Sequence, residues 1–310
     1  MSLLSSIYTS YPRNNPCPCE SNKKAKNCCL KTNTWNKFPS DITPKNALDG
    51  IENVKCYAKQ TKNCCEKISG EHYISKNVLE IVNDNKGRIP IEGVTWIPVG
   101  ESRVLPTKNL VSNILCKRHN EALSPLDAEA GKLIKTIGSY DNDFNATIPK
   151  DEIKVLCGED IERWMLKTTC GLVKGGHLGK DGIPLKAEVK DIWIDILYGK
   201  ISWPNSWGLY VSTSTETIHH SKLFGFLPMT HPTTHELIAV DMLINNFKFY
   251  LLLGNPDNPA AVGIHRPRTL IFKQNNVQKY IELSWQDKSL DKFILFERKG
   301  TYDGKPPNIS

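Results

Sequence analysis

The sequence predicts an α+β protein in three parts: a zinc knuckle over residues 1–35, a zinc-stapled hairpin-and-helix unit over 50–130, and a helical neck followed by a mostly antiparallel sheet over 131–310. Three observations predict it. Four cysteines fall within 13 residues, from Cys17 to Cys29. A split signature, Glu71-His72, is answered further along the chain by Cys116-Lys117-Arg118-His119-Asn120. Beyond Ile192, helical spacing gives way to short apolar runs separated by turn residues.

Composition bounds what these features can belong to. At 310 residues the chain exceeds a usual single domain, and 39% hydrophobic content with 7 Trp is enough for real cores. No apolar run reaches the roughly 18 residues that a membrane-spanning helix needs, so no membrane partner is expected. Met1 to Tyr11 has no basic start, no sustained apolar core and no small-residue cleavage site. A cytoplasmic, reducing location follows as the expectation, and there clustered thiols read as metal ligands rather than disulfides. Of 10 cysteines, 8 precede residue 120, which confines metal chemistry to the front of the chain. Residues 1–130 carry 18 Lys+Arg against 13 Asp+Glu, a balance that suits a polyanion partner.

The first element runs Arg13-Asn14-Asn15-Pro16-Cys17-Pro18-Cys19, then Lys23-Lys24-Ala25-Lys26-Asn27-Cys28-Cys29. Cys17, Cys19, Cys28 and Cys29 offer the four soft ligands of a tetrahedral zinc, and too few apolar residues lie here to fold without the metal. The run resembles the SEC-C zinc motif, found at the carboxyl terminus of the bacterial SecA translocation ATPase and in many unrelated proteins. The motif's usual Gly-Ser-Gly turn is replaced by Glu20-Ser21-Asn22. Residues Asn33 to Pro44, polar and without periodicity, read as a linker.

In the second unit, Cys56 and the pair Cys64-Cys65 precede a short hairpin strand, Ile68 to Ile74, around Glu71-His72. An amphipathic stretch with Val78, Leu79, Ile81 and Val82 follows, then short strands at Arg88–Ile91 and Val94–Ile97. Asn109 to Leu123 reads as a helix. Positions i, i+3 and i+4 share a helix face, so Cys116 and His119 can grip one zinc with Asn120 beside them. Cys56 with Cys64 or Cys65 completes the ligand set and leaves one thiol spare; the spacing to Ile68 and Glu71-His72 favours Cys64.

This arrangement resembles the HNH endonuclease family, a treble-clef or ββα-metal fold with one structural zinc and one catalytic divalent metal. The resemblance implies that Glu71 and Asn120 hold Mg²⁺ or Mn²⁺ and that His72 is the general base. The family's middle Asn has no match at its usual spacing before Cys116, where Val111 stands; Asn109 and Asn113 are the candidates nearby. Phosphodiester hydrolysis needs a neutral imidazole to take a proton from water and a hard cation to stabilise developing charge. The expected function is metal-dependent DNA cleavage or nicking. HNH proteins of this layout further imply a place in bacterial antiphage defence, with a partner such as an ATPase. The alternative is a zinc-stapled nucleic-acid-binding or adaptor protein without catalysis.

In the last part, Ala128–Ile137 and Glu159–Cys170 read as helices. Arg163 and Lys167, one turn apart on the second of these, are placed to reach phosphates or to form a solvated face. Gly171 to Gly182 is a glycine-rich loop without the Gly-Lys-Ser/Thr of a phosphate-binding loop. Strands are expected at Ile192–Leu197, Trp207–Val211, Leu237–Met242, Phe247–Leu253 and Thr269–Phe272. His231 to Glu236 lacks metalloprotease spacing and reads as a surface loop, and His265-Arg266-Pro267-Arg268 is a candidate nucleic-acid contact.

Overall fold

The computed structural model describes residues 11–31, 34–45, 50–98, 100–144, 152–180, 183–212, 224–244, 247–254, 256–274, 277–287 and 293–297. The expectation about a targeting segment in the first residues falls almost wholly outside them. Among the described residues, no helix is long and apolar enough to cross a membrane.

The knuckle opens the fold. Its chain doubles back through Cys17 N–H donating to the Lys23 carbonyl (2.7 Å) and Ala25 N–H to that of Asn15 (2.9 Å), and it ends in a two-residue ladder, Leu30–Lys31 against Thr34–Trp35. Where glycines are usual, Glu20 (φ 64°) and Asn22 (φ 60°) still take the left-handed backbone. Asn tolerates that region and Glu pays for it.

Next come β1 (Ile68–His72), α1 (Lys76–Val82), β2 (Arg88–Glu92), β3 (Arg103–Pro106), β4 (Val111–Cys116) and α2 (Lys117–Ala122). The helix expected over Asn109–Leu123 is thus half strand. Ladder pairing with β1, from Ile68 opposite Cys116 to His72 opposite Val111, satisfies the backbone of β4 and overrides its helical apolar spacing. Only after Cys116 does the chain turn helical. Val94–Ile97 is a turn rather than a strand, because Gly93 at φ 71° breaks the extension of β2.

The remaining elements are α3 (Ser124–Phe144), β5 (Glu152–Cys157), α4 (Gly158–Lys174), α5 (Asp191–Leu197), β6 (Gly208–Ser212), β7 (Phe224–Thr230), β8 (Leu237–Ile244), β9 (Phe247–Leu252), β10 (Thr269–Gln274), β11 (Val277–Ser284) and β12 (Phe293–Glu297). Where a strand was expected at Ile192–Leu197 the chain is α5. Buried Trp193, Ile194, Ile196 and Leu197 fit one helical face, and Asp191 favours the helix start.

Two larger sheets form among the described residues. One runs Ile264–His265, β6, β9, β8, β7, β2, β3, antiparallel except where β7 lies parallel to β2. The other, β12-β10-β11-β5, is mixed, with β12 and β5 each parallel to its neighbour. Strands β2 and β3 therefore leave the middle unit to extend a sheet of the carboxyl-terminal half. One apolar core runs from Ile42 through Leu79, Ile91, Trp164 and Phe224 to Ile294, with no break in packing near residue 130.

The stretch read as a linker is a strap. Lys37 N–H donates to Ser284 Oγ (2.8 Å) and its ammonium pairs with Glu129; Ser40 donates from both N–H and hydroxyl to Asp160; Ile42 is buried. Its polar residues, uninformative in sequence, spend their hydrogen bonds on α3, α4 and β11. The knuckle covers the otherwise free edge of β5: Val155 packs with Cys17, Cys29, Leu30 and Trp35, and Lys154 pairs with Glu20 at 2.9 Å.

Candidate metal centres and the Glu71-His72 bend

Among the described residues, two groups of side chains are arranged to hold a metal. Cys17, Cys19, Cys28 and Cys29 form the first; Cys56, Cys64, Cys116 and His119 form the second, and within each the ligand atoms lie within 4.8 Å of one another. Tetrahedral zinc with Zn–S near 2.3 Å sets neighbouring sulfurs about 3.8 Å apart. The knuckle shows 3.5 Å for Cys19–Cys28 and 3.6 Å for Cys28–Cys29. The donor sets fit zinc.

In the second group, His119 Nδ1 stands 3.6, 3.7 and 3.2 Å from the sulfurs of Cys56, Cys64 and Cys116. Elements from three places converge: the turn before Thr61, the segment leading into β1, and the β4–α2 junction. Cys116 caps α2, so His119 follows within its first turn. The other ring nitrogen, Nε2, lies 3.0 Å from Thr61 Oγ1, whose own hydroxyl donates to the Ala58 carbonyl (2.8 Å). The hydroxyl proton being spent, its lone pair receives Nε2–H, which leaves Nδ1 bare toward the thiols. A hydrogen bond from Cys56 holds the Cys116 thiol far below its usual range, while that same bond pushes Cys56 up and burial pushes Cys64 up. Cys65 is not a ligand. Its sulfur points away, accepting from Arg118 N–H at 3.3 Å and donating to the Lys67 carbonyl at 3.5 Å.

The end of β1 carries Glu71 and His72, and the chain bends at Tyr73–Ile74 just after them. A bulge separates Ser69 from Glu71, after which Glu71 pairs with Ser112 and His72 with Val111. Paired residues share a face and neighbours alternate, so Glu71 and Ser112 face one side and His72, Val111 and Asn113 the other. Gly70 confirms the second face: a Cβ there would meet Val111 Cγ1 at 3.0 Å and Asn113 Oδ1 at 4.0 Å. Asn113 is exposed on that face; Asn109 lies in the preceding turn with its carbonyl 3.5 Å from Tyr73 Oη. Asn120, on α2, donates to Ser69 Oγ at 3.0 Å and so reaches back to β1.

His72 is half-buried, and burial together with the Lys76 and Lys167 charges lowers its pKa below 6.5. Glu71 has a different environment. It is 4% exposed, and Lys167 Nζ sits 2.7 Å from its Oε1. The same ammonium contacts Asp127 Oδ1 at 2.7 Å and Oδ2 at 2.8 Å. Asp127 accepts from the Ser75 hydroxyl, which in turn accepts from Trp164 Nε1 (2.7 Å). Burial lowers the pKa of Lys167, but Asp127 and Glu71 outweigh it and the net shift is upward. Burial raises that of Glu71 against the opposing pull of Lys167.

Lys167 is therefore neither on a solvated face nor placed to reach phosphate; it is 3% exposed. The apolar run Trp164, Met165 and Leu166 is the one sequence signal that this turn of α4 is covered; the burial of every residue from Trp164 to Leu172, which obliges the charge to find an internal partner, is a property of the fold. Thr61, Ser75 and Asp127 carried no such signal. Of the other sequence candidates, His231 to Glu236 forms a surface loop in which His231 Nδ1 accepts from the N–H groups of Thr233 and Thr234. Arg266 is committed to Glu162 (2.8 Å) and stacks over Trp285 at 4.4 Å, which removes it from the nucleic-acid candidates.

Comparison with curated proteins and with solved structures returned no significant match. Residues 13–31 match the family model described as the SEC-C motif, the segment whose four cysteines form the first metal group.

Proposed function

We propose that the protein is an HNH-type, metal-dependent DNA endonuclease or nickase. The observation that carries this is the run from β1 to α2: a strand ending in Glu71-His72 pairs with β4, which leads straight into a helix tied to the Cys56, Cys64, Cys116, His119 group and bearing Asn120. In this proposal His72, kept neutral by burial and neighbouring ammoniums, takes the proton from the attacking water. Asn120 and the exposed Asn113 offer amide oxygens on the hairpin and helix surface. A bound Mg²⁺ or Mn²⁺ would stabilise charge developing on the phosphate and leaving oxygen. The basic front of the chain suits DNA. The resemblance extends the proposal to an antiphage effector acting with a partner such as an ATPase.

The test is plasmid cleavage with Mg²⁺ or Mn²⁺ by the zinc-loaded chain. Nicks or cuts that disappear on His72→Ala and on chelation of the added metal support the proposal; DNA that is bound and left intact sinks it.

One observation favours a second reading. Glu71, which the family pattern assigns to the catalytic metal, already has Lys167 and Asp127 as its neighbours. A zinc-stapled unit that binds nucleic acid without cutting fits that pairing, and it predicts identical behaviour for wild type and His72→Ala.

A further inference from the structure

We infer that Lys167 is the resident cation of the Glu71 site, that Glu71 ligates no divalent metal in the folded chain, and that Lys167 is a positioning residue for His72. The part concerning His72 rests on the nuclease proposal; the part concerning the cation does not.

Space and charge carry the first step. Three carboxylate oxygens, one of Glu71 and two of Asp127, lie 2.7 to 2.8 Å from Lys167 Nζ. Mg²⁺ needs oxygens at about 2.0–2.1 Å in octahedral array, so an ion sharing these oxygens would have to occupy the ammonium's own position. It cannot simply join: Lys167 and Glu71 side chains are 3% and 5% exposed, and water does not screen a second cation there. The donor set disagrees with a divalent ion and agrees with an ammonium that is already present.

Connectivity carries the second step. The segment from Glu71, near the end of β1, to Ser75, just ahead of α1, has His72 as its second residue, and both ends belong to one network. Glu71 is held by Lys167; Ser75 is held by Asp127, which Lys167 also grips, and by the Trp164 indole. Both Lys167 and Trp164 come from α4, one turn apart. The helix thus fixes the segment at two points, Glu71 and Ser75, and His72 lies between them. Alternation along β1 leaves His72 on the opposite face, where Asn113 lies, so a divalent ion has only that face to use.

The experiment is Mn²⁺ titration of the zinc-loaded full chain, with free Mn²⁺ read by electron paramagnetic resonance. Glu71→Gln is expected to bind Mn²⁺ within about twofold of wild type, whereas Lys167→Met gains a site at least about tenfold tighter that Lys167→Met/Glu71→Gln loses. Weakening of wild-type Mn²⁺ binding by about tenfold on Glu71→Gln overturns the assignment, as does a folded Lys167→Met that gains nothing. Should Lys167→Met not fold, Glu71→Gln decides alone, because it keeps the ammonium paired with Asp127. For the positioning role, Glu71→Gln should move the His72 imidazole resonances and cut kcat for plasmid cleavage by about tenfold or more with KM unchanged. Unmoved resonances refute it. A wild type that cuts nothing while the Mn²⁺ pattern holds removes the nuclease proposal and supports the cation assignment.

Discussion

Thr61→Val tests the histidine end of the second metal group, because it keeps the side chain's shape and removes the hydroxyl that accepts from His119 Nε2–H and donates to the Ala58 carbonyl. In the fold that acceptor stands 3.0 Å from Nε2, on a hydroxyl held by the Ala58 carbonyl. Without it, the imidazole loses the bond that selects the tautomer with Nδ1 bare, and Nε2–H is left without its partner beside Tyr198, whose ring packs edge-on at 5.1 Å. Loss of such an outer hydrogen bond weakens metal affinity by about 10- to 100-fold, or roughly 1.4 to 2.7 kcal/mol. The assay is competition against a colorimetric zinc chelator. Wild type should release two zinc ions in phases of fixed amplitude; Thr61→Val should shift one phase to lower chelator and leave the knuckle phase in place. Two unshifted phases would mean that His119 does not bind through Nδ1, and the geometry argued for this centre would fail.

Other outcomes follow from the same structure. Since burial lowers the pKa of His72, the neutral base persists as pH falls below 6.5, so the acid limb of kcat/KM should lie under that value; a limb at or above 6.5 refutes the assignment. Cys17→Ser should leave one zinc per chain, cost at least about 2 kcal/mol by loosening Leu30, Trp35 and Val155, and speed amide exchange in β5, with β1 unaffected. Glu20→Gly should relieve a left-handed residue worth about 1–2 kcal/mol while losing an exposed ion pair to Lys154 worth about 0–1 kcal/mol, a net gain visible as a raised Tm. Gly93→Ala should cost more than about 2 kcal/mol, because its φ is 71° and a Cβ would lie 1.9 Å from the Phe226 carbonyl oxygen where β2 meets β7; an unchanged urea midpoint would contradict that placement.

Much of the candidate site was legible in order along the chain. Cysteine spacing located both metal groups, and the preference for Cys64 over Cys65 matches the cluster. The Ile68–Ile74 strand, the helices around Leu133 and Trp164, and the strands at Leu237, Phe247 and Thr269 appear where the apolar patterns put them. The misses share a cause. Val111–Cys116, the first half of the expected helix, and Ile192–Leu197 are short apolar runs whose periodicity fits strand or helix equally, and the partner decided each: β1 made one a strand, while packing against α4 left the other a helix. The strap after the knuckle was unreadable because its partners, Glu129, Asp160 and Ser284, lie 92, 120 and 247 residues away.

The sequence by itself determined which atoms can bind soft metals, because cysteine and histidine chemistry is local and its spacings are printed in the chain. It also placed Glu71, His72 and Asn120 within a recognisable pattern. Only the tertiary structure decided what surrounds them. Whether Glu71 meets a divalent ion or an ammonium depends on α4, whose Lys167 lies 96 positions beyond it, and no local pattern reports a pair closed over that distance. Burial made that pairing obligatory: a carboxylate and an ammonium withdrawn from water must each find a counter-charge, and here they found one another.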